Sequence, residues 1–203
     1  FDFIGGAVET GNPVLKRSTI HNFDFRWELF PGAGNLLSMS FFYKDFTDPI
    51  QPTIVSEVPK IQNRNVPDGY ISGLELEARF KFGTLWKKIE GLQAGGNVSL
   101  IQSAVALDTT TEEFIEARRQ DSTVTRTRQF QGQSPYLINL DISYNSERTG
   151  SQAGIYFNLF GPRVHAISYA ATPDVYEEGR AMLDFTYSQD LINGMKLRFA
   201  FKN

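Results

Sequence analysis

The stretch YISGLELEARFKF, from Tyr70 to Phe82, has two chemically opposite faces. From Leu74 onward every second residue is apolar, and the four residues between them are charged. Side chains of a β-strand point alternately to opposite faces, so the pattern predicts a strand with one apolar and one charged face. In a soluble β-sandwich the apolar face would meet a core, whereas in a membrane barrel it would meet lipid and the charges would line a wet interior.

Seven other segments repeat this alternation, which makes eight period-2 strands in all. Most of them sustain it for about 10 residues, which is longer than a usual strand of about 5 or 6 residues and matches a strand that crosses a membrane. The length therefore favours the barrel. The other segments are residues 21–30, 36–46, 91–107, 135–147, 151–161, 180–190 and 194–203.

The connections between these segments alternate between short and long. The short ones are turns rich in Gly, Asn and Pro, and the long ones cover roughly residues 47–69, 108–134 and 161–179. Tight turns at one end of a sheet and long loops at the other are typical of transmembrane barrels, whereas a Greek-key sandwich scatters its long connections. We expect a hairpin within the first loop and a short helix over TEEFIEARR in the second.

Aromatic residues concentrate near the ends of the predicted strands. Phe41, Phe42, Tyr43 and Phe46 cluster at the loop end of the second strand, and Trp27 lies at the turn end of the first. Outer-membrane barrels carry an aromatic girdle at each membrane interface. We interpret the two clusters as parts of two such girdles.

Composition excludes several other classes of protein. The net charge of −3 provides no basic excess for nucleic-acid binding. The chain has no cysteine, so disulfides and thiolate metal sites are excluded, and no apolar run approaches the roughly 18 to 20 residues of a spanning helix. Because no signal sequence precedes Phe1, we expect the chain to be part of a longer protein.

The sequence offers no catalytic or metal-binding constellation. His21 and His165 are the only histidines and lie far apart along the chain. The adjacent carboxylates, Glu112 with Glu113 and Glu177 with Glu178, lie in loops, and no nucleophile elbow or phosphate-binding glycine loop is present. We therefore expect no enzyme activity, no metal and no cofactor.

The order and spacing of several segments resemble one known family. GNPVLKRSTIHNFDFRWELFPGAGNLLSMSFFYKDFTDPIQ places an Asn-Pro-x-Leu-Lys motif (Asn12, Pro13, Leu15, Lys16) before a strand, a tight turn and a strand that ends in Phe-Tyr-Lys. This arrangement resembles that of TonB-dependent outer-membrane receptors, as does the Gly-x-Glu-x-Glu pattern of GYISGLELEARF. The stretches GQSPYLINLDISY and PDVYEEGRAMLDFTYSQDL resemble their strands near the carboxyl end.

The resemblance implies an all-β fold, an up-and-down antiparallel transmembrane β-barrel. Residues 1–203 would be a single domain of about eight strands from a barrel of about 22 strands, without its plug domain and final strands. The whole protein would lie in the outer membrane of a Gram-negative bacterium and import a scarce siderophore, cofactor, saccharide or peptide. Its partners would be outer-membrane lipid, its own plug, the TonB complex and this ligand.

Two sets of residues are candidates for functional contacts. Charged residues of the inner face would pair across strands and contact the plug, and loop residues would capture ligand, with arginines suited to anions and tyrosines to stacking. The inner set is Arg26, Glu28, Glu75, Glu77, Arg79 and Lys81, and the loop set is Arg118, Arg119, Arg126, Arg128, Tyr169 and Tyr176. Two alternatives stay open: a soluble or cell-surface β-sandwich for carbohydrate binding or adhesion, and a small standalone barrel.

Overall fold

The structure is a computed structural model that describes residues 3–4, 7–55, 60–84, 89–120, 122, 124–167 and 174–203. Nearly all of the described regular structure is β-strand. The described part of the second long loop contains one short α-helix, and the 3-10 helices Phe82–Thr84 and Ile192–Gly194 lie in short turns. The elements are β1 (Phe3–Ile4), β2 (Ala7–Thr10), β3 (Thr19–Leu29), β4 (Leu36–Thr47), β5 (Ile50–Ile54), β6 (Lys60–Asn65), β7 (Gly69–Lys81), β8 (Leu92–Ala106), α1 (Glu112–Gln120), β9 (Thr127–Arg128), β10 (Tyr136–Ser146), β11 (Ser151–Phe160), β12 (Arg163–Ala166), β13 (Val175–Glu177), β14 (Arg180–Asp190) and β15 (Lys196–Phe201).

The eight predicted strands form one antiparallel sheet, which we call the wall. Across the sheet they follow the order β3, β4, β7, β8, β10, β11, β14 and β15, so the long strands are neighbours in their chain order. The short strand β9 is a ninth member, which pairs with the end of β8. This arrangement confirms the up-and-down prediction. Within the described residues, β3 and β15 are the edge strands of the wall. No helix in this part of the chain is long and apolar enough to cross a membrane.

The short turns lie together at one end of the wall. Gly34 reaches a φ of 78° in the first turn, and Asn193 reaches 61° in the last, a backbone region that most side chains avoid. Asn35 joins two turns, since its Oδ1 accepts from the Lys81 amide N at 2.7 Å and its Nδ2 donates to Thr84 Oγ1 at 3.1 Å. The glycines and asparagines of these connections therefore allow the tight turns and link them by hydrogen bonds.

The register separates an apolar outer face from a polar inner face. One outer row crosses seven strands through Trp27, Met39, Leu76, Val98, Ile138, Leu159 and Ala181. The adjacent inner row passes through Glu28, Ser38, Glu77, Asn97, Asn139, Asn158 and Met182. Many outer side chains are exposed, from 38% for Phe185 to 68% for Phe23, whereas Val98, Ile138 and Leu159 are partly buried. The outer face of the wall is thus an extended apolar surface.

The aromatic girdle at the loop end is smaller than predicted. Phe41 and Tyr43 lie on the outer face, where Tyr43 stacks on Tyr70 with ring centroids 6.2 Å apart. Phe42 and Phe46 lie on the inner face because they fall in the opposite phase of β4. Of this cluster, only Phe41 and Tyr43 therefore lie on the face that a lipid-facing girdle would occupy.

The long loops carry most of the described apolar core. Val105, Phe130, Val164 and Ile167 are buried at the loop end, while Leu36 is the buried apolar side chain near the turns. The first long loop contains the predicted hairpin, formed by β5 and β6, and β2 adds to β6 in parallel. The wall thus has little core of its own, whereas the loops have one.

Candidate functional site

The three long loops are hydrogen-bonded to one another above the inner face. Contacts join segments that are distant in sequence at two places. The first links β5 to the segment after β12, and the second links the segment after β9 to β12 itself. We call these joined segments, residues 48–55, 60–68, 124–135, 161–167 and 174–179, the loop layer. The contacts are Ile54 N to Ile167 O at 3.0 Å, Gly132 N to Val164 O at 2.8 Å and Gln131 Nε2 to His165 O at 2.8 Å.

Arg128 connects all three loops. Its Nη2 donates to Gln51 Oε1 at 2.9 Å, and its Nη1 lies 3.8 Å from Asp174 Oδ2. The side chains of Arg128 and Asp174 are only 12% and 20% exposed, and burial lowers the pKa of Arg128. Its Nε is buried and has no hydrogen-bond partner in the part of the chain that the structure describes. This predicted ligand residue therefore serves the packing of the loops, and a role in capture remains a prediction.

A second ion pair holds the β12–β13 hairpin. Arg163 Nε lies 2.6 Å from Glu177 Oε2, and the Arg163 guanidinium stacks 5.0 Å from the centroid of the Phe160 ring. The hydrogen bond from Arg163 lowers the pKa of Glu177, against a smaller opposing effect of desolvation. The two charges neutralise each other at the edge of the loop layer.

Between the loop layer and the wall lies a cavity of about 760 Å³. Its floor includes Ile20, Phe46 and Ile71 from the inner face, with Phe130 packed on Phe46 at a centroid distance of 4.9 Å. The volume and the mixed lining fit a small organic molecule. Its polar lining residues include Gln51, Gln131, Gln133, Arg163, His165 and Glu177.

Sequence reasoning missed this cavity, although the sequence carries a signal for it. Ile20 is in the polar phase of β3, together with Asp24, and Ile71 is in the polar phase of β7, together with Glu75. An apolar residue in the polar phase of a strand indicates that the inner face is covered at that point. At this end of the wall the interior is therefore lined by apolar side chains.

Four of the six predicted inner-wall residues form one ion-pair network. Arg26 Nε lies 2.6 Å from Glu28 Oε1, and Arg26 Nη2 lies 3.1 Å from Glu77 Oε2. Arg79 Nη2 contacts the other oxygen of Glu77 at 3.1 Å, and Arg26 Nη1 donates to Ser40 Oγ at 3.2 Å. The inner wall therefore presents a polar network near the turn end.

The other two predicted inner residues lie on the same face outside this network. Glu75 lines a smaller polar cavity of about 240 Å³ together with Asn97 and Asp141. Lys81 lies over the backbone of the first turn, where a Cβ at Gly34 would be 2.8 Å from its Cε atom. Their contact with a plug domain stays a prediction.

The remaining loop candidates are dispersed over the surface. Arg118 Nη1 donates to the Val124 carbonyl at 2.9 Å, and Arg119 Nη1 pairs with Glu116 Oε2 at 3.5 Å. Arg126 is exposed, and Tyr176 is 53% exposed on β13. Tyr169 lies outside the described residues. Ligand capture by these residues stays a prediction.

The Asn-Pro-x-Leu-Lys motif is anchored on β6. Asn65 Oδ1 accepts from the Lys16 amide N at 2.7 Å, and Asn65 Nδ2 donates to the Lys16 carbonyl at 3.1 Å. Asn12 Nδ2 donates to the Asn63 carbonyl at 2.9 Å. The motif thus fixes the entry to the wall against the first long loop. The described residues contain no group of three or more potential metal ligands.

Several solved structures share this fold at low sequence identity. The FrpB iron transporter from Neisseria meningitidis (F5-1 variant) superposes with a TM-score of 0.63 at 14% identity, over 98% of this chain and 29% of that chain. The ferric enterobactin receptor PfeA of Pseudomonas aeruginosa, a Q482A mutant in complex with enterobactin, gives 0.61 at 14% identity, over 96% and 27%. The copper transporter OprC gives 0.61 at 14% identity, over 94% and 26%.

The chain thus spans between 26% and 29% of the length of these structures. No curated protein matches its sequence. A family described as "TonB dependent receptor-like, beta-barrel" matches residues 2–203, which is nearly the entire chain. With the single up-and-down sheet and its apolar outer face, this match identifies the chain as a member of the TonB-dependent receptor β-barrel family.

Proposed function

We propose that the chain is a carboxyl-proximal part of an outer-membrane receptor that binds a scarce small ligand and imports it with energy passed on by TonB. The exposed apolar outer face carries this proposal. Side chains such as Phe23, Phe25, Leu76 and Leu183 are between 45% and 68% exposed, and they belong to a surface that extends across the wall. Soluble monomers rarely expose an apolar surface larger than a few hundred Å². Lipid is the environment that such a face requires.

The rest of the receptor would complete the barrel. The edges β3 and β15 carry backbone groups that hydrocarbon does not tolerate unpaired, so further strands would pair with them. A barrel of about 22 strands leaves room for an amino-terminal plug domain, which would contact the inner wall and TonB. The protein would then lie in the outer membrane of a Gram-negative bacterium.

The loop layer is where the ligand would first be held. It lies over the inner face at one end of the wall and borders the larger of the two cavities described above. The similar structures are named as iron and copper transporters and as a ferric enterobactin receptor. For this protein the ligand could belong to the siderophores, cofactors, saccharides or peptides, and its passage requires no catalysis by the chain.

Fractionation and uptake in the native bacterium test this function. We expect the full-length protein in the outer-membrane fraction, with a barrel that migrates faster on gels before heating, and growth on its ligand that requires TonB. A chain that is monomeric without detergent and melts cooperatively would contradict the proposal and favour the β-sandwich binding module. Uptake that continues without TonB would contradict the energy source alone.

A further inference from the structure

We propose that the cavity beneath the loop layer binds an uncharged organic molecule with one apolar face and an edge of hydroxyl or amide N–H groups. The inference rests on the proposed receptor function and names the class of ligand. It differs from the sequence expectation of an anionic ligand held by loop arginines. Three features of the lining carry it: the floor, the charges and the orientation of the side-chain amides.

The floor of the cavity is apolar where the wall would otherwise be polar. Ile20, Phe46 and Ile71 face inward, and Ile20 remains 48% exposed. Phe130 packs against Phe46 at a tilt of 44°, which leaves an aromatic surface beside the isoleucines. Apolar surface facing a wet interior is stabilised when a molecule covers it, because water is released. The floor therefore favours a ligand with an apolar face.

The charges around the cavity are internally compensated. Arg163 and Glu177 are paired at 2.6 Å, so neither offers a full charge to a ligand. Arg128 is directed to Gln51 and Asp174. His165 is the other described lining residue that can carry a charge. An anionic ligand would thus lose its hydration without gaining a guanidinium in the described lining that is free of an ion pair, which is costly.

Outside the lining, Arg180 is a cation that lies near Glu177. Arg180 influences Glu177 electrostatically, and its Nη2 donates to Met182 Sδ at 3.4 Å. Arg180 is not among the residues that line the cavity.

Two side-chain amides of the lining, those of Gln131 and Gln133, use their N–H groups within the protein. Gln131 Nε2 donates to the His165 carbonyl at 2.8 Å, and Gln133 Nε2 donates to the Ser134 carbonyl at 2.9 Å. Gln131 Oε1 is buried and has no hydrogen-bond partner among the described residues. An acceptor of this kind is satisfied by a hydroxyl or amide N–H, and a carboxylate cannot supply one. The ligand should therefore donate hydrogen bonds.

Three probes that share an aromatic ring and a pyranose separate the possible charges. Para-nitrophenyl glucoside is neutral, the glucuronide adds a carboxylate, and the glucosaminide adds an amine. Binding to the full-length receptor in lipid nanodiscs is measured by equilibrium dialysis with the nitrophenyl absorbance. We expect the glucoside to bind at least about tenfold more tightly than either charged probe, a difference set by desolvation of the charge.

Matched variants place the binding in this cavity. Gln131→Leu removes the acceptor, and we expect it to weaken glucoside binding by about fivefold or more. Gln102→Leu is the control, because Gln102 is an exposed glutamine on the outer face, in register with Ser72. Circular dichroism and thermal stability of each variant establish that the fold is retained, and Gln133→Leu is the second variant if Gln131→Leu does not fold.

Several results would overturn the inference. The first is that a charged probe binds as tightly as the glucoside or more tightly, and the second is that no probe shows saturable binding. The third is that Arg118→Ala abolishes binding while the cavity variants Gln131→Leu and Gln133→Leu do not. A plug segment that fills the cavity in the full receptor would appear as the absence of binding. Any of these results leaves the proposed receptor function standing if the protein is in the outer membrane and uptake requires TonB.

Discussion

The wall and the loop layer are stabilised in different ways. The wall is held by continuous ladders of backbone hydrogen bonds, and its apolar outer side chains are largely exposed. The loop layer has buried apolar side chains, an ion pair in its interior and backbone hydrogen bonds between distant segments. The wall therefore depends on its surroundings for the burial of its apolar surface, whereas the loop layer buries its own.

A charge placed on the outer face should have the largest effect. Leu76 lies near the middle of β7 on the outer row, where an arginine would meet hydrocarbon. We expect Leu76→Arg to lower the free energy of unfolding of the receptor in lipid vesicles by about 2 to 4 kcal/mol, as measured by urea titration.

The matched control lies on the inner face of the next strand. Asn97 is in register with Glu77, so Asn97→Arg places the same charge in the polar interior beside a carboxylate. We expect a change of less than about 1 kcal/mol, because the charge stays hydrated and near an opposite charge. Equal costs for the two variants would mean that the outer face does not meet lipid.

Loss of Arg128 should loosen the loop layer and spare the wall. Arg128→Met removes the contacts to Gln51 and Asp174, at a local cost of about 1 to 3 kcal/mol. Hydrogen exchange of the amides of Ile54 and Gly132, which bond across loops, should then become about tenfold faster or more.

The control for this variant is Arg118→Met, because Arg118 is exposed on the helix. We expect unchanged exchange at both amides, and amides of β7 should be unaffected in either variant. Accelerated exchange along β7 in Arg128→Met would show that the wall and the loop layer are one cooperative unit, against our comparison.

Loss of Asn65 should release the segment before the wall. Its side chain makes two hydrogen bonds to the Lys16 backbone and one to the Asp48 carbonyl at 2.8 Å. We expect Asn65→Ala to cost about 1 to 2 kcal/mol, measured by the same urea titration, and to accelerate exchange at the Lys16 amide. Asn63→Ala is the control, because it keeps the backbone carbonyl that accepts from Asn12. It should change neither the free energy of unfolding nor exchange at the Lys16 amide.

The smallest effect concerns the ion pair of the β12–β13 hairpin. Because Arg163 lowers the pKa of Glu177, the pair stabilises the hairpin above the ordinary pKa of glutamate. This contribution is lost as pH falls through the lowered value. We expect Arg163→Ala to raise the pKa of Glu177, measured by carbon NMR of the labelled carboxyl, and Arg180→Ala to raise it less. A larger rise in Arg180→Ala would contradict the assignment of the partner.

The wall could be predicted from the sequence because its structure repeats at a period of two residues. The alternation from Leu74 to Phe82 defines a strand without knowledge of any other part of the chain. The turns were predictable because they contain residues such as Gly34 and Asn193, which occupy backbone conformations that few residue types adopt. Local chemistry is sufficient in both cases.

The loop layer could not be predicted in the same way. Arg128 contacts Gln51, a residue 77 positions away, and no local pattern indicates that pairing. In the sequence, nothing distinguishes Arg128 from the nearby arginines Arg118, Arg119 and Arg126. In the structure, however, the side chain of Arg128 is largely buried. The available signal for the loop layer was Ile20, an apolar residue in the polar phase of its strand. It indicates that the inner face is covered at this point, but it does not identify the covering segment.

Accessibility measured along β7 in the lipid-reconstituted receptor tests the central claim most directly. Because the chain contains no cysteine, single cysteines at each position from Leu74 to Lys81 carry spin labels without background from this chain. Our account predicts that labels at Leu74, Leu76, Ala78 and Phe80 collide preferentially with oxygen, which is lipid-soluble, and that labels at the charged positions between them collide with a water-soluble nickel chelate. Equal exposure to the chelate at both sets of positions, or the opposite alternation, would contradict it.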